Sequence, residues 1–343
     1  MLKDVEETLE KYFSSEWDEK DILSWINKKR FDLDIPALNA NLREPVKDFL
    51  LRGGKRWRPV LFLTILKLLG ADWKKYLDIA VAIELAHNGT LIIDDIEDFA
   101  ELRRGKPTCH LAFGLDTAVN AGMTIHFLPL RILLTKGGLA EKQKLQFAEI
   151  YTEEIINVYF GQTLDIAWHK RPRPITVEEY LEMTRLKTGG LVRMAGRLAC
   201  VIARREDLEN VIVNFSELAG IAFQIKDDAL EFESDEKTFG KSFGNDISEG
   251  KISLPVIFAL QKMSGSEREW LLHTLGLHTK DQEILGKAMD MIKGSGAVQE
   301  SLAYAEELVD DSWKEIELKL SDRKEEDVEE FKHMTYSLVK RAK

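Results

Sequence analysis

Asp94, Asp95 and Asp98 close an apolar run in LIIDDIED (91–98), and RRG follows at 103–105. The device is echoed further on. ELAHNGTLIIDDIED (84–98) and ELAGIAFQIKDDALE (217–231) share Glu-Leu-Ala and an aspartate pair in one register, the second ending in Asp227, Asp228 and Glu231. On a helix, Asp94 and Asp98 lie one turn apart on one face with Asp95 beside them. Like charges so placed repel by roughly 0.2–0.5 kcal/mol per exposed pair, and more when desolvated. Clustered carboxylates with no His or Cys nearby suit a hard, oxygen-seeking cation such as Mg²⁺, commonly held by a few carboxylates with substrate phosphates completing its shell. A solvated acidic helix end would explain a single cluster. The apolar approach LII and the second copy weigh against it.

Other polar groups extend the pattern. Glu231 keeps the charge of an aspartate with one more methylene, Gln224 lies one turn before Asp228, and Asp165 interrupts an otherwise apolar helix in GQTLDI (161–166). For Asp165 alone, a salt-bridge partner is a fair competing reading. Lys55 and Arg58 in RGGKRWRP (52–59), with Arg104 in RRGKPT (103–108), supply about three positive charges, close to what a diphosphate carries near pH 7. His87 precedes Asp94 by two turns on the same face, placed as a donor to phosphate. Lys187-Thr188-Gly189-Gly190 sets an ammonium and a hydroxyl before two glycines, where backbone approaches a phosphate oxygen closely. Lys241 and Lys251 occupy the glycine-spaced loop DEKTFGKSFGNDISEGK (235–251). Taken singly, Lys187 or Lys241 reads as an ordinary surface lysine.

Helices must position these groups. Apolar residues recur at helical spacing over 60–70, 76–95, 144–168, 176–203, 208–232 and 298–320. Period-two alternation is hard to find, and Asn88-Gly89 falls inside a helical pattern rather than a hairpin turn. With eight prolines and no linker or composition shift, residues 1–343 are expected to form one all-α bundle, with the acidic motifs on central helices.

Composition bounds the rest. A 343-residue chain with 44% hydrophobic and 31% charged residues supports a real core. Its net charge of −11 argues against a general nucleic-acid binder, though a local basic cluster can still take a small anion. Two cysteines, Cys109 and Cys200, make neither a disulfide framework nor a metal-ligand spacing. MLKDVEETLEKYF is charged from its third residue, and no uncharged run approaches the ~18–20 residues of a spanning helix. A cytoplasmic chain without stable membrane insertion is expected.

The motifs are identifiable together. LIIDDIEDFAELRRGKPTCH resembles the first aspartate-rich region of the trans-isoprenyl diphosphate synthases, DDxxD followed by RRGxP. GGKRWRP, KTGG, GQTLD and FQIKDDALEFESDEKTFGKSFGNDISEGK resemble further motifs of that family in the expected order, over about residues 50 to 260. The resemblance implies an all-α isoprenoid synthase fold, the acidic helices facing each other across a deep central cavity, usually in a homodimer. It implies that Lys55, Arg58, His87 and Arg104 bind isopentenyl diphosphate. Asp94, Asp98 and Asp227 would hold several Mg²⁺ ions on an allylic diphosphate, supported by Asp95, Asp228 and Glu231, with Asp165 assisting. Arg103, Lys187, Thr188, Gln224, Lys241 and Lys251 would grip that diphosphate. Two departures stand out: Glu231 where the family has Asp, and AGM (121–123) where AGD is common.

The implied reaction is chain elongation. Loss of diphosphate from the allylic substrate gives a carbocation, the isopentenyl double bond attacks it, and a proton leaves. In this family the residues before the first motif line the product tunnel, and an aromatic at the fifth position before it stops growth early. Here that position is Gly89, followed by Thr90; Ala82, Ala86 and Gly89 fall within a sector of about 60° at ~100° per residue. A product of twenty carbons or longer is expected, with Ile125 or Phe127 as alternative floors and close helix packing as the competing explanation of the small residues. A class I terpene cyclase is the rival enzyme, disfavoured by DDALE and by a second diphosphate site. A non-catalytic subunit of a heteromeric synthase is disfavoured because both acidic motifs keep their charge.

Overall fold

The segments with helical spacing become helices in the computed structural model, which describes residues 1–13, 15–135, 138–233 and 244–340. The first acidic motif ends the helix Leu77–Glu97, and the second ends Glu209–Glu233. Asn88-Gly89 lies within the former, as the periodicity requires. One segment differs from its periodicity. The run over 176–203 divides into Val177–Lys187 and Gly189–Ala203, with Thr188 between them. Thr176 and Glu179 form a reciprocal capping box that starts the first of these helices. Two successive glycines weaken its continuation. A small antiparallel pair, Leu102–Arg103 with Lys106–Pro107, tightens the turn carrying RRG.

Two compact units partition the chain: residues 1–151 with 198–204, and residues 152–197 with 205–343. In the first, Leu77–Glu97 packs along Leu115–Thr135, and both are apolar enough that Ile79, Leu85, Ile92, Ala121 and Ile125 are buried. These two helices also have the length and apolarity to cross a membrane, and each has a large share of its surface inside the protein. In the second unit, Glu209–Glu233 packs along Ala297–Lys319. Phe215 stacks edge-on against Trp313 and Phe331 there, with centroids 5.4 and 5.3 Å away. Full burial of each such ring contributes roughly 1.5–3 kcal/mol, fixing the helix that carries the second motif.

Candidate active site

Three elements of the first unit bring cations to the first acidic helix. The loop before helix Trp57–Leu68 carries Gly53, Gly54 and an exposed Lys55. A Cβ at Gly54 would sit 3.0 Å from the Arg104 guanidinium, so the bare glycine at φ +144° lets the RRG turn close over this loop. Among the described residues, six non-glycine positions have left-handed φ, and Arg56, Phe99 and Arg104 all flank this cluster. Such backbone costs on the order of 1–3 kcal/mol where the surroundings impose it, and it concentrates at working sites. Arg56 is held by a buried ion pair with Glu84 at 2.6 Å, and Asn88 donates to the same carboxylate at 2.8 Å.

Arg58 and His87 meet at 3.1 Å. A guanidinium only donates, so His87 Nε2 accepts and its proton resides on Nδ1. Burial, then Arg58 and Arg104, hold His87 well below the usual histidine range, leaving it a neutral donor at pH 7. Burial and the neighbouring Arg56 lower Arg104 to about 10, so it stays charged. Arg58, His87 and Arg104 are thus one cluster, with Lys55 one residue beyond Gly54.

The acidic helix supplies the carboxylates. Asp95 is fully buried and accepts from Arg103 Nε at 2.7 Å; Asp94 lies 3.7 Å from the same guanidinium. Burial raises the Asp95 pKa, opposed by Arg103. Its second carboxylate oxygen is buried without a hydrogen-bond partner. Asp98 closes the helix.

Upstream, the small residues mark a helix contact. Ala82, Ala86 and Gly89 are buried, and a Cβ at Gly89 would meet Gly122 O at 3.1 Å, Ile125 at 3.2 Å and His126 at 3.3 Å. At this position the geometry is that of close packing against Leu115–Thr135. Thr90 is half-buried, its hydroxyl donating to His87 O at 2.7 Å; Ile125 is buried, whereas Phe127 is 69% exposed.

The second unit assembles a hydrogen-bonded chain. Thr188 donates to Gln224 at 2.9 Å, Gln224 donates to Asp228 at 2.7 Å, and Tyr180 donates to the other Asp228 oxygen at 2.7 Å. Burial, then the like charge of Asp246, push Asp228 up to about 7, opposed by those two donors. Lys187 pairs with Asp165 at 2.6 Å, and a Cβ at Gly161 would fall within the Lys187 backbone. Asp227 is half-buried beside Asp228 on the same helix. Glu231 accepts from the Asn245 amide at 3.1 Å, a reach that its extra methylene extends. Lys251 pairs with Glu249. Lys241 lies outside the described residues.

Tyr180, Asp246, Arg56 and Glu84 belong to these clusters without having been assigned roles from sequence. Arg56 and Asp246 stand inside quoted motifs. Tyr180 has no local signal, since only tertiary packing brings it 48 positions along the chain to Asp228.

The donor set fits Mg²⁺. It consists of carboxylate oxygens, with one Asp95 oxygen buried and unsatisfied. Among the described residues no three His, Cys, Asp or Glu side chains converge as a ready-made cage. With phosphorylated ligands Mg²⁺ ordinarily takes one or two carboxylates, waters and phosphate oxygens, which these carboxylates would suit.

Residues 39–292 match the family model described as polyprenyl synthetase. The chain is 33% identical over 300 residues to a geranylgeranyl pyrophosphate synthase of Geoglobus acetivorans, covering 87% of this chain and 91% of that one. It is 35% identical over 259 residues to a geranylfarnesyl diphosphate synthase of Aeropyrum pernix, covering 74% and 79%. A solved polyprenyl synthase from Caulobacter crescentus CB15, complexed with calcium and isoprenyl diphosphate, superposes with a TM-score of 0.75 at 25% identity, covering 100% and 98% of the two chains.

Proposed function

The chain belongs to the polyprenyl synthetase family and is a prenyltransferase, and on that premise we propose that it condenses isopentenyl diphosphate with an allylic diphosphate, using Mg²⁺, to a linear all-trans product of twenty carbons or longer. The observation carrying this reading is the Arg58–His87–Arg104 cluster, in which cations gather around a neutral histidine, suited to a second diphosphate. A cyclase ionises a single diphosphate and has no use for it.

In this reading Lys55, Arg58 and Arg104 neutralise the isopentenyl diphosphate, and neutral His87 donates from Nδ1. Asp94 and Asp98 of the first motif would be metal carboxylates with Asp95 holding their surroundings, and Asp227 of the second motif would be one with Asp228 and Glu231 holding its own. Arg103, Lys187, Thr188, Gln224, Lys241 and Lys251 grip the allylic diphosphate. Bound Mg²⁺ supplies electrophilic stabilisation to the leaving diphosphate. As the allylic C–O bond breaks, the isopentenyl double bond attacks the freed carbon, and a proton is then lost, with the released diphosphate as acceptor. The apolar interior shelters the cation from water.

Residues 1–343 act as one catalytic domain, in keeping with a family match that takes in residues of both units. A homodimer is supported by the exposed Met123 and Phe127 on helix Leu115–Thr135. A cytoplasmic, non-inserted chain is supported by the packing on each other of the two helices that are long and apolar enough to cross a membrane. The test is incubation of the purified chain with Mg²⁺, isopentenyl diphosphate and allylic primers of several lengths, reading product length. Turnover that persists without isopentenyl diphosphate would identify a cyclase. No turnover from the chain alone would point to a subunit of a heteromer.

A further inference from the structure

Behind the Lys187–Thr188 turn lies a buried arginine to which the motifs assign no role. Arg193, on helix Gly189–Ala203, is 6% exposed. Its Nε and Nη2 donate to Glu154 at 3.0 and 2.7 Å, and Nη1 donates to Glu217 and, at 2.7 Å, to the Arg185 carbonyl. Glu154 is 1% exposed. All three guanidinium nitrogens are therefore committed.

Such a buried arrangement is often no more stable than apolar residues of the same size, so stability alone does not account for it. Its geometry offers a better account. The Arg185 carbonyl is among the last four of helix Val177–Lys187, the set lacking intrahelical partners. A guanidinium there satisfies it and complements the helix dipole. Two residues on, the Lys187 backbone is pressed by Gly161 from another helix. Lys187 then reaches Asp165 and Thr188 reaches Gln224, so displacing the Arg185 carbonyl displaces both.

We propose that Arg193, clamped by Glu154 and Glu217, is a positioning residue that aims Lys187 and Thr188 at the allylic diphosphate. This rests on the reading of Lys187 and Thr188 as ligands of that diphosphate. Arg197 provides the contrast. It sits one turn further along the same helix and shares Glu154, but its other bonds go to Glu153 and Glu209.

The test compares Arg193→Met, Arg193→Lys, Arg197→Met, Lys187→Met and the double variant Lys187→Met with Arg193→Met. Each is assayed for kcat, for both KM values and for Tm. Misplacement by about 1 Å can cost on the order of a hundredfold, so Arg193→Met is expected to raise the allylic KM about tenfold or more while the isopentenyl KM stays within about twofold. Arg193→Lys rescues little, because an ammonium cannot reproduce the fork. Arg197→Met lowers Tm without moving the allylic KM. In the Lys187→Met background, Arg193→Met adds less than it does alone, since only Thr188 is left for it to aim. Equal shifts in both KM values, additive effects in the double variant, or the same allylic response from Arg197→Met would overturn the proposal. If Arg193→Met fails to fold, Arg193→Lys carries the same comparison. An unchanged allylic KM in Lys187→Met alone would instead remove the ligand reading beneath it, and the inference with it.

Discussion

The two acidic motifs share a register in sequence yet are supported by different chemistry. In the first, buried Asp95 faces the Arg103 guanidinium. In the second, Asp228 receives a phenol and an amide, both neutral, and feels the like charge of Asp246. The first motif is locked by charge. The second is held by directional hydrogen bonds, and its carboxylate is left poised near neutrality at about 7. A repeated sequence device therefore does not imply a repeated electrostatic environment. What surrounds it decides how firmly its charge is held.

The sharpest way to break that comparison is Arg103→Met. It leaves Asp95 buried with its cation gone, and removal of one partner of a buried pair costs about 3–5 kcal/mol. Urea unfolding of the variant reads this loss directly. A cost below that of removing a hydroxyl at Tyr180 would show that the first motif is not charge-locked. Gly89→Phe comes next. Because even a Cβ at Gly89 would meet Gly122 O at 3.1 Å and Ile125 at 3.2 Å, overpacking is expected to cost about 1–3 kcal/mol. Products of unchanged length from the surviving enzyme would place chain-length control elsewhere than at this contact.

Much of this was legible in the sequence, for identifiable reasons. Apolar spacing locates the long helices because burial and the 3.6-residue period are properties of the segment itself. Candidate residues from distant motifs were grouped by the family resemblance rather than by spacing, and within those groups Arg58 and His87, Thr188 and Gln224 do meet. The break at Thr188 was masked by continuous apolar periodicity across 176–203, although Gly189-Gly190 weakens the helix there. The close approach of Gly161 and the bond from Arg193 to the Arg185 carbonyl are tertiary. Tyr180 and Glu84 were hidden for the same reason: their partners are 48 and 28 positions away, a distance that no spacing rule spans. The small stripe at Ala86 and Gly89 was legible as small but not as packed, because sequence does not say what faces it.

A pH series sharpens the comparison at a smaller scale. On the proposed role of Asp228 beside the metal carboxylates, its protonation would remove charge that metal binding draws on, and its pKa of about 7 lies inside the working range. With Mg²⁺ subsaturating, kcat/KM for the allylic substrate should therefore rise up to about tenfold from pH 6 to pH 8, as a single titration near 7 allows. The isopentenyl KM should stay flat over that range, because His87 is already neutral and Arg104 titrates at about 10. Stability follows the opposite sign. A carboxyl raised from 3.8 to about 7 binds its proton in the folded state first, so its contribution is full below pH 3.8 and is lost as pH rises through 7. Asp228→Asn should flatten both curves.

The smallest expected effect isolates one hydrogen bond. Tyr180 lowers the Asp228 pKa by donating to its ionised form, partly offsetting burial and Asp246. Tyr180→Phe removes that donor and leaves the ring to fill the same space. Stability should fall by about 1 kcal/mol, and the ascending limb of the allylic pH profile should move upward by less than about one unit. The direction discriminates between two accounts of the second motif. If Tyr180 serves only as packing, the limb stays where it is; if neutral donors are what keep Asp228 ionisable, it moves to higher pH while the isopentenyl KM remains unchanged.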